Sequence, residues 1–174
     1  IGSSLVGSEM CIRDSLVSVC TPNDTHAEIA IAALAAGKHV WCEKPMSTTL
    51  ADSTAMANAA ASSAGKTIIG YNYTKNPAVT HARRLIDDGV IGRVSGFFCR
   101  YDVDNEADGN RPWSWRMSRA QSGTGSNGDV LSHVISVAHF LTNSSISRVV
   151  GDYTIVHKER ADSQAAGQTK IVDN

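Results

Sequence analysis

A chain of 174 residues is long enough for one domain or parts of two, and 42% apolar residues suffice for a sizeable core. Lys plus Arg number 16 against 17 Asp plus Glu, which leaves a formal net charge of -1. That balance excludes the clustered positive surface that nucleic acid or an anionic membrane requires, and the longest apolar-rich stretch, Ile29 to Ala36, is far too short to cross a bilayer.

The first fifteen residues, IGSSLVGSEMCIRDS, follow neither helical nor strand periodicity. They lack the basic start and apolar run of a signal peptide and resemble translated adapter read-through, so residues 1–15 are set aside as a non-native or disordered leader. The four cysteines are Cys11, Cys20, Cys42 and Cys99. No pair has CxxC spacing, and the last three fall in or at the end of apolar runs. They read as small buried residues in a reducing compartment, by default the cytoplasm.

Leu16 to Cys20 is a short strand candidate, ended by Thr21-Pro22-Asn23. Thr25 and Glu28 have the spacing of a capping box. The helix they open runs to about Ala36, with Gly37 at its C-terminal cap. His39 to Cys42 is a second strand, followed by Glu43-Lys44-Pro45. A helix from about Leu50 to Ala64 is opened by Thr49 with Asp52 and closed by Gly65. Lys66 to Gly70 is a third strand, leading into Tyr71-Asn72-Tyr73. This βαβαβ order predicts a parallel sheet, in which ligands bind beyond the carboxyl ends of the strands.

Beyond Asn76-Pro77 a helix is expected to about Asp88, then a strand from Arg93 to Val103. The polar stretch Asp104 to Arg111 leads into the Trp113-Ser114-Trp115-Arg116 loop. Asn127 or Asp129 opens a helix that continues to about Leu141, and Ile146 to His157 reads as another strand. Lys158 to Asn174 adds only a hint of one more. The organisation expected is therefore α/β. Residues 16–73 form the C-terminal half of a Rossmann-type parallel sheet. Residues 74–174 form the start of an α+β domain whose mostly antiparallel sheet is incomplete, with material lacking on both sides of the chain. No GxGxxG precedes the first strand, and the glycines at 123–128 lack a βαβ context.

Several residues could carry chemistry. Pro45 restricts the backbone of Lys44, holding a cationic amine at the rim where it can hydrogen-bond a substrate oxygen. Taken alone, Lys44 reads more readily as a solvent-exposed turn lysine. Glu43 could pair with Lys44 or with a ribose hydroxyl, or be ordinary surface charge. Asp129 and His133 lie four apart on one helix, where a carboxylate raises imidazole basicity and yields a general base. The bland alternative is a first-turn aspartate and a satisfied core histidine. Asn72 follows a strand and could orient a ring or a hydroxyl. Trp115 and Arg116 could line a polar pocket or simply pin a loop. His26 could contact a cofactor or sit in the first turn of its helix. No spacing demands a metal.

In this order the residues resemble the Gfo/Idh/MocA family of oxidoreductases. The likeness lies in Val19 to Asn23 with His26, in Ala36 to Pro45, and in Gly70 to Tyr73 with Asn76-Pro77. It continues through Leu85 to Gly92, Trp115-Arg116, and Gly128 to His133. The resemblance implies a Rossmann domain binding NAD or NADP, then an α/β domain, with the active site between them. It implies oxidation of a ring hydroxyl of a sugar, inositol or related polyol, or reduction of the matching carbonyl. Lys44 matches the lysine that hydrogen-bonds the reacting oxygen, His133 the acid or base, and Asp129 its carboxylate partner. Thr21, Pro22, Asn23, His26, Glu43, Lys44 and Asn72 fall where the family lines the cofactor. Trp115 and Arg116, with Lys44 and His133, fall on the substrate side. Ser136 departs from the family, many members of which carry an aspartate there. The partner expected is a small sugar or polyol, with no nucleic acid and no membrane, and a homo-oligomer at full length. This stretch alone is expected to be inactive. Alternative readings are a redox glycosidase of the same family, using tightly held NAD, and a non-catalytic dinucleotide-binding protein.

Overall fold

The structure is a computed structural model that describes residues 15–104, 106–125 and 127–174, with Asn127 described by its backbone only. The leader set aside above, with Cys11, lies outside these residues apart from Ser15. The chain divides into two compact units, one ending at Gly70 and the other beginning at Tyr71.

The first unit is built on three short strands, β1 (Leu16–Val19), β2 (His39–Cys42) and β3 (Thr67–Ile69), paired in parallel in the order β1-β2-β3. Leu16 faces His39 and Val19 faces Cys42, while Val40 faces Thr67. Alternation along β2 buries Val40 and Cys42 and exposes His39 and Trp41, as a period of two requires. The buried side meets α1 (His26–Ala35) and α2 (Leu50–Ser62). Val19, Ala27, Ala30, Ala33, Leu34, Val40, Cys42 and Met56 form the core. The alanines of α1 let that helix lie close on the sheet.

Helix ends follow the sequence signals at Gly37 and Thr49, whereas α2 ends at Ser62 and is closed by Ser63, short of the Ala64 and Gly65 expected. Gly37, at φ 71°, closes α1 with Gly37 N–H donating to Leu34 O and Lys38 N–H to Ala33 O. That is a Schellman motif, which needs the left-handed conformation a glycine adopts without steric cost. Thr49 caps α2 by accepting from the Asp52 N–H at 3.1 Å. Gly65 is forced to be glycine by proximity, since a Cβ there would overlap the Lys38 carbonyl oxygen.

The second unit opens with a 3-10 turn, Asn72–Lys75, and α3 (Pro77–Asp87), capped by the Asn76 side chain accepting from Ala78 N–H. Gly89, at φ 71°, and Val90 repeat the Schellman pattern on Ile86 O and Leu85 O. A single helical turn, α4 (Arg119–Ser122), precedes a wide π turn, Asn127–Leu131, which runs into α5 (Ser132–Thr142). Arg83 ties α3 to α5 by donating to Phe140 O. The unit ends in an antiparallel pair, β4 (Glu159–Ala161) and β5 (Thr169–Ile171).

Two strand expectations are corrected here. Residues 93–103 and 146–157 form no ladder among the described residues. A run rich in β-branched and aromatic residues is competent to pair, but a strand exists only where a neighbour accepts its hydrogen bonds. The antiparallel pair lies instead in residues 159–171, where only a hint was read. The pair is stapled to the preceding loop by buried Arg160, which donates to the carbonyl oxygens of Glu106, Asp108 and Arg111. Trp113 adds its indole N–H to Ile171 O at 3.0 Å.

The cysteines are also corrected in part. Cys42 is buried, whereas Cys20 and Cys99 are exposed, and all three are free thiols. Burial, then the nearby charge of Glu43, raises the Cys42 thiol to about 11. Only roughly one part in a thousand is then thiolate at about pH 8. Native-state labelling with a thiol reagent should therefore modify Cys20 and Cys99 within minutes and Cys42 only after unfolding. Rapid native labelling of Cys42 would contradict this packing.

Candidate active site

The first unit carries its candidate residues on the loops after β1 and β2. Thr21 and Pro22 are half-buried, and Asn23 is buried in the 3-10 turn Asn23–Thr25. Thr25 does not form the expected capping box. Its φ of -98° and ψ of -7° are already helical, unlike the extended backbone that capping needs and that Thr49 has. The Thr25 hydroxyl turns back to Thr21 Oγ1 at 2.6 Å and Pro22 O at 2.8 Å, tightening the loop after β1.

His26 lies inside this loop. Its side chain has no accessible surface. Nδ1 stands 2.9 Å from Pro45 O and Nε2 2.9 Å from Thr21 O. The imidazole thus spans the two loops that follow β1 and β2. Any contact with a bound cofactor would have to pass through those loops, so the direct contact anticipated for His26 has no surface to act on in this geometry.

The loop after β2 begins where Glu43 N–H donates to Val19 O at 2.9 Å. The Glu43 carboxylate folds back and accepts from the Lys44 backbone N–H at 3.3 Å. It also lies over the end of β3, where a Cβ on Gly70 would meet both carboxylate oxygens at 3.0 Å. The Lys44-Pro45 peptide bond is cis. Thr21, Pro22, Glu43 and Lys44 are all half-buried at the carboxyl ends of parallel strands.

The second unit gathers a different set. His133, the second residue of α5, is 8% exposed. The Tyr73 ring stacks on its imidazole with centroids 4.3 Å apart and planes at 26°. The Tyr71 ring meets it edge-on at 6.2 Å and 89°. Tyr73 in turn stacks with Tyr101 at 5.9 Å, and their hydroxyl oxygens are 2.5 Å apart. The hydrogen bond to Tyr73, then burial, raises the Tyr101 hydroxyl above its ordinary value, with the Asp129 charge adding to this. Burial raises Tyr71 likewise.

Asp129 sits in the π turn, so the four-residue step to His133 crosses a change of helix type and is not the uniform α-helical spacing anticipated. Its carboxylate pairs with Arg116 Nε at 3.8 Å. The Arg116 guanidinium lies 4.5 Å from the centre of the Trp115 ring. Trp115, Arg116 and Asp129 therefore form one chain of contacts. Ser136 donates to the His133 carbonyl at 2.8 Å, a bond within its own helix. Asn72 is exposed in the first turn of this unit. Tyr71 and Tyr73 were read from the sequence only as part of the segment after the third strand, and their packing with His133 and Tyr101 was not, because residues so far apart reveal no shared environment through periodicity. Among the described residues no group of three or more His, Cys, Asp or Glu gathers to hold a metal.

Comparison with known proteins adds a family to this geometry. Residues 8–71 match the oxidoreductase family with an NAD-binding Rossmann fold, and residues 79–173 match the GFO/IDH/MocA C-terminal domain. A levoglucosan dehydrogenase of Pseudarthrobacter phenanthrenivorans is 41% identical over 82% of this chain and 34% of its own length. A 1,5-anhydro-D-fructose reductase of Ensifer adhaerens is 33% identical over 86% of this chain and 45% of its own. The crystallised levoglucosan dehydrogenase in complex with NADH and L-sorbose superposes with a TM-score of 0.84 at 36% identity, over 99% of this chain and 46% of that one. The chain thus spans less than half the length of these relatives.

Replacing His26 with Ala removes a buried ring and leaves one of the Thr21 and Pro45 carbonyl groups short of its donor. The expected cost is about 3 kcal/mol, from the lost packing and the unmet polar group. Urea denaturation of the native protein measures it, and a loss below about 1 kcal/mol would contradict the place given to His26.

Proposed function

The chain belongs to the Gfo/Idh/MocA family of NAD-binding oxidoreductases, and on that premise we propose that the full-length protein moves a hydride between NAD and a hydroxyl-bearing ring carbon of a sugar. We assign an anhydro sugar such as levoglucosan as the substrate class. The likeness to a levoglucosan dehydrogenase and to a 1,5-anhydro-D-fructose reductase supports this choice. The observation that carries the reaction class is the half-buried Lys44 at a parallel strand end, on a loop held by His26 and Glu43.

Thr21, Pro22, Asn23 and Glu43 suit a dinucleotide, because hydroxyl, amide and carboxylate groups at strand ends can meet ribose hydroxyls and a carboxamide. Asn72 suits the same ligand. When bound, the nicotinamide supplies the hydride acceptor in oxidation and the donor in reduction. Lys44 donates a hydrogen bond to the reacting oxygen and stabilises the negative charge that builds on it. His133 takes the hydroxyl proton as the carbon loses its hydride, so the carbinol becomes a carbonyl and the proton rests on the imidazole. Asp129, with its charge, favours the protonated imidazole. Trp115 offers an apolar wall for a sugar ring, and Arg116 a forked donor for its hydroxyls. Three free cysteines among the described residues suit a reducing compartment such as the cytoplasm.

Turnover of levoglucosan with NAD, followed by NADH absorbance in the full-length protein, tests these roles. Lys44→Ala and His133→Asn should each lower kcat by about 100-fold to 10,000-fold, the range for losing a positioned proton-transfer or oxyanion-stabilising group. Unchanged turnover in either variant would remove that residue from the mechanism.

A further inference from the structure

We propose that Tyr73, tied through its hydroxyl to Tyr101, is a positioning residue that fixes the plane of the His133 imidazole. This rests on the reading of His133 as the acid–base group.

A histidine side chain turns about two bonds, so a helix places its Cβ but not its ring plane. What packs against the faces of the ring must set that plane. Here the Tyr73 ring covers the imidazole at 4.3 Å, within 26° of parallel. The contact is close enough to block rotation of the imidazole about its outer bond. Tyr71 adds an edge contact at 89°, which on its own leaves room for the ring to rock.

Tyr73 comes from a short 3-10 turn, Asn72–Lys75, which by itself is a weak anchor. The anchor is supplied by Tyr101, twenty-eight residues further on. The two phenol rings lie within 18° of parallel, and the two oxygens share a hydrogen bond at 2.5 Å. One hydroxyl gives its hydrogen to that bond and the other accepts it, so the pair fixes the outer end of the Tyr73 ring. Three separate stretches of chain, the turn 72–75, the segment at Tyr101 and α5, are thereby locked at one imidazole. The Tyr101 hydroxyl, held above its ordinary value by the bond to Tyr73 and by burial, stays protonated at neutral pH and can serve the tether. Tyr73 acts on the reaction only through His133.

Three variants separate positioning from packing in the full-length protein, with levoglucosan and NAD as the assay. Tyr73→Leu removes stacking and tether together. Tyr73→Phe keeps the stacking, and Tyr101→Phe removes one oxygen. Misplacing an acid–base group costs kcat more than KM. Tyr73→Leu should lower kcat by about 30-fold to 100-fold with KM changed less than about twofold. Tyr73→Phe and Tyr101→Phe both break the tether and keep the stacked rings, so each should lose about threefold to 10-fold, between wild type and Tyr73→Leu. An NMR readout needs no turnover. Stacking should shift the His133 ring proton upfield, and the shift should vanish in Tyr73→Leu and persist in Tyr73→Phe. Loss of activity in His133→Asn with full activity in Tyr73→Leu, or a His133 signal unmoved by Tyr73→Leu, would overturn the positioning role. Full activity in His133→Asn would instead overturn the acid–base reading while the NMR result still decides the stacking.

Discussion

The His26 imidazole, buried between two loop carbonyl groups, holds the first unit's functional edge in place. A parallel sheet delivers its strands to one rim, but the loops beyond that rim are free of the ladder and need another tie. His26 supplies it from the first residue of α1, reaching Thr21 O on one loop and Pro45 O on the other. Glu43 adds a second tie, because its carboxylate lies over Gly70 and receives the Lys44 N–H. Lys44 is therefore carried on a backbone held from both sides. The helix that bears His26 is itself seated on the core through Ala27, Ala30, Ala33 and Leu34. Packing of the helix against the sheet and placement of the lysine are in this sense one event.

The second unit solves a similar problem with aromatic rings. Its candidate proton acceptor stands at the start of α5, where helix geometry alone leaves the ring plane open. Tyr73 and Tyr71 bracket the imidazole, and Tyr101 steadies Tyr73. Asp129 is drawn toward Arg116, which in turn lies against Trp115. The buried Arg160 keeps the loop before Trp113 in place through backbone oxygens, with no acidic partner required. The two terminal nitrogens of the guanidinium find carbonyl acceptors, which offsets part of the cost of burying the charge, while Nε is buried with no hydrogen-bond partner.

Much of the first unit could be read from the chain alone. The βαβαβ succession with its parallel sheet, the capping Thr49 and the glycine at 37 follow from short-range rules, and the structure places them as those rules require. The glycine after α3 has the same physics. Thr25 was misread because a 3-10 turn ahead of the helix had already committed its backbone. Residues 93–103 and 146–157 were misread because a run rich in β-branched and aromatic residues measures readiness to pair and says nothing of whether a partner strand lies beside it. At the candidate site, Lys44, Asp129 and His133 stood out through motif spacing. The Tyr73–Tyr101 pair and Arg160 did not, since long-range contacts between common residue types leave no local pattern. His26 stood out as a motif residue, but its place as a tie between loops needed coordinates.

In the proposed reaction, hydride passes directly between a sugar carbon and NAD. A sugar substrate deuterated at each ring carbon in turn, incubated with NAD and the full-length protein, tests it most directly. The account predicts that deuterium from one carbon appears in the reduced cofactor and that the same carbon becomes a carbonyl. Reduced cofactor without label from any ring carbon, or product formed with no cofactor reduced, would contradict it.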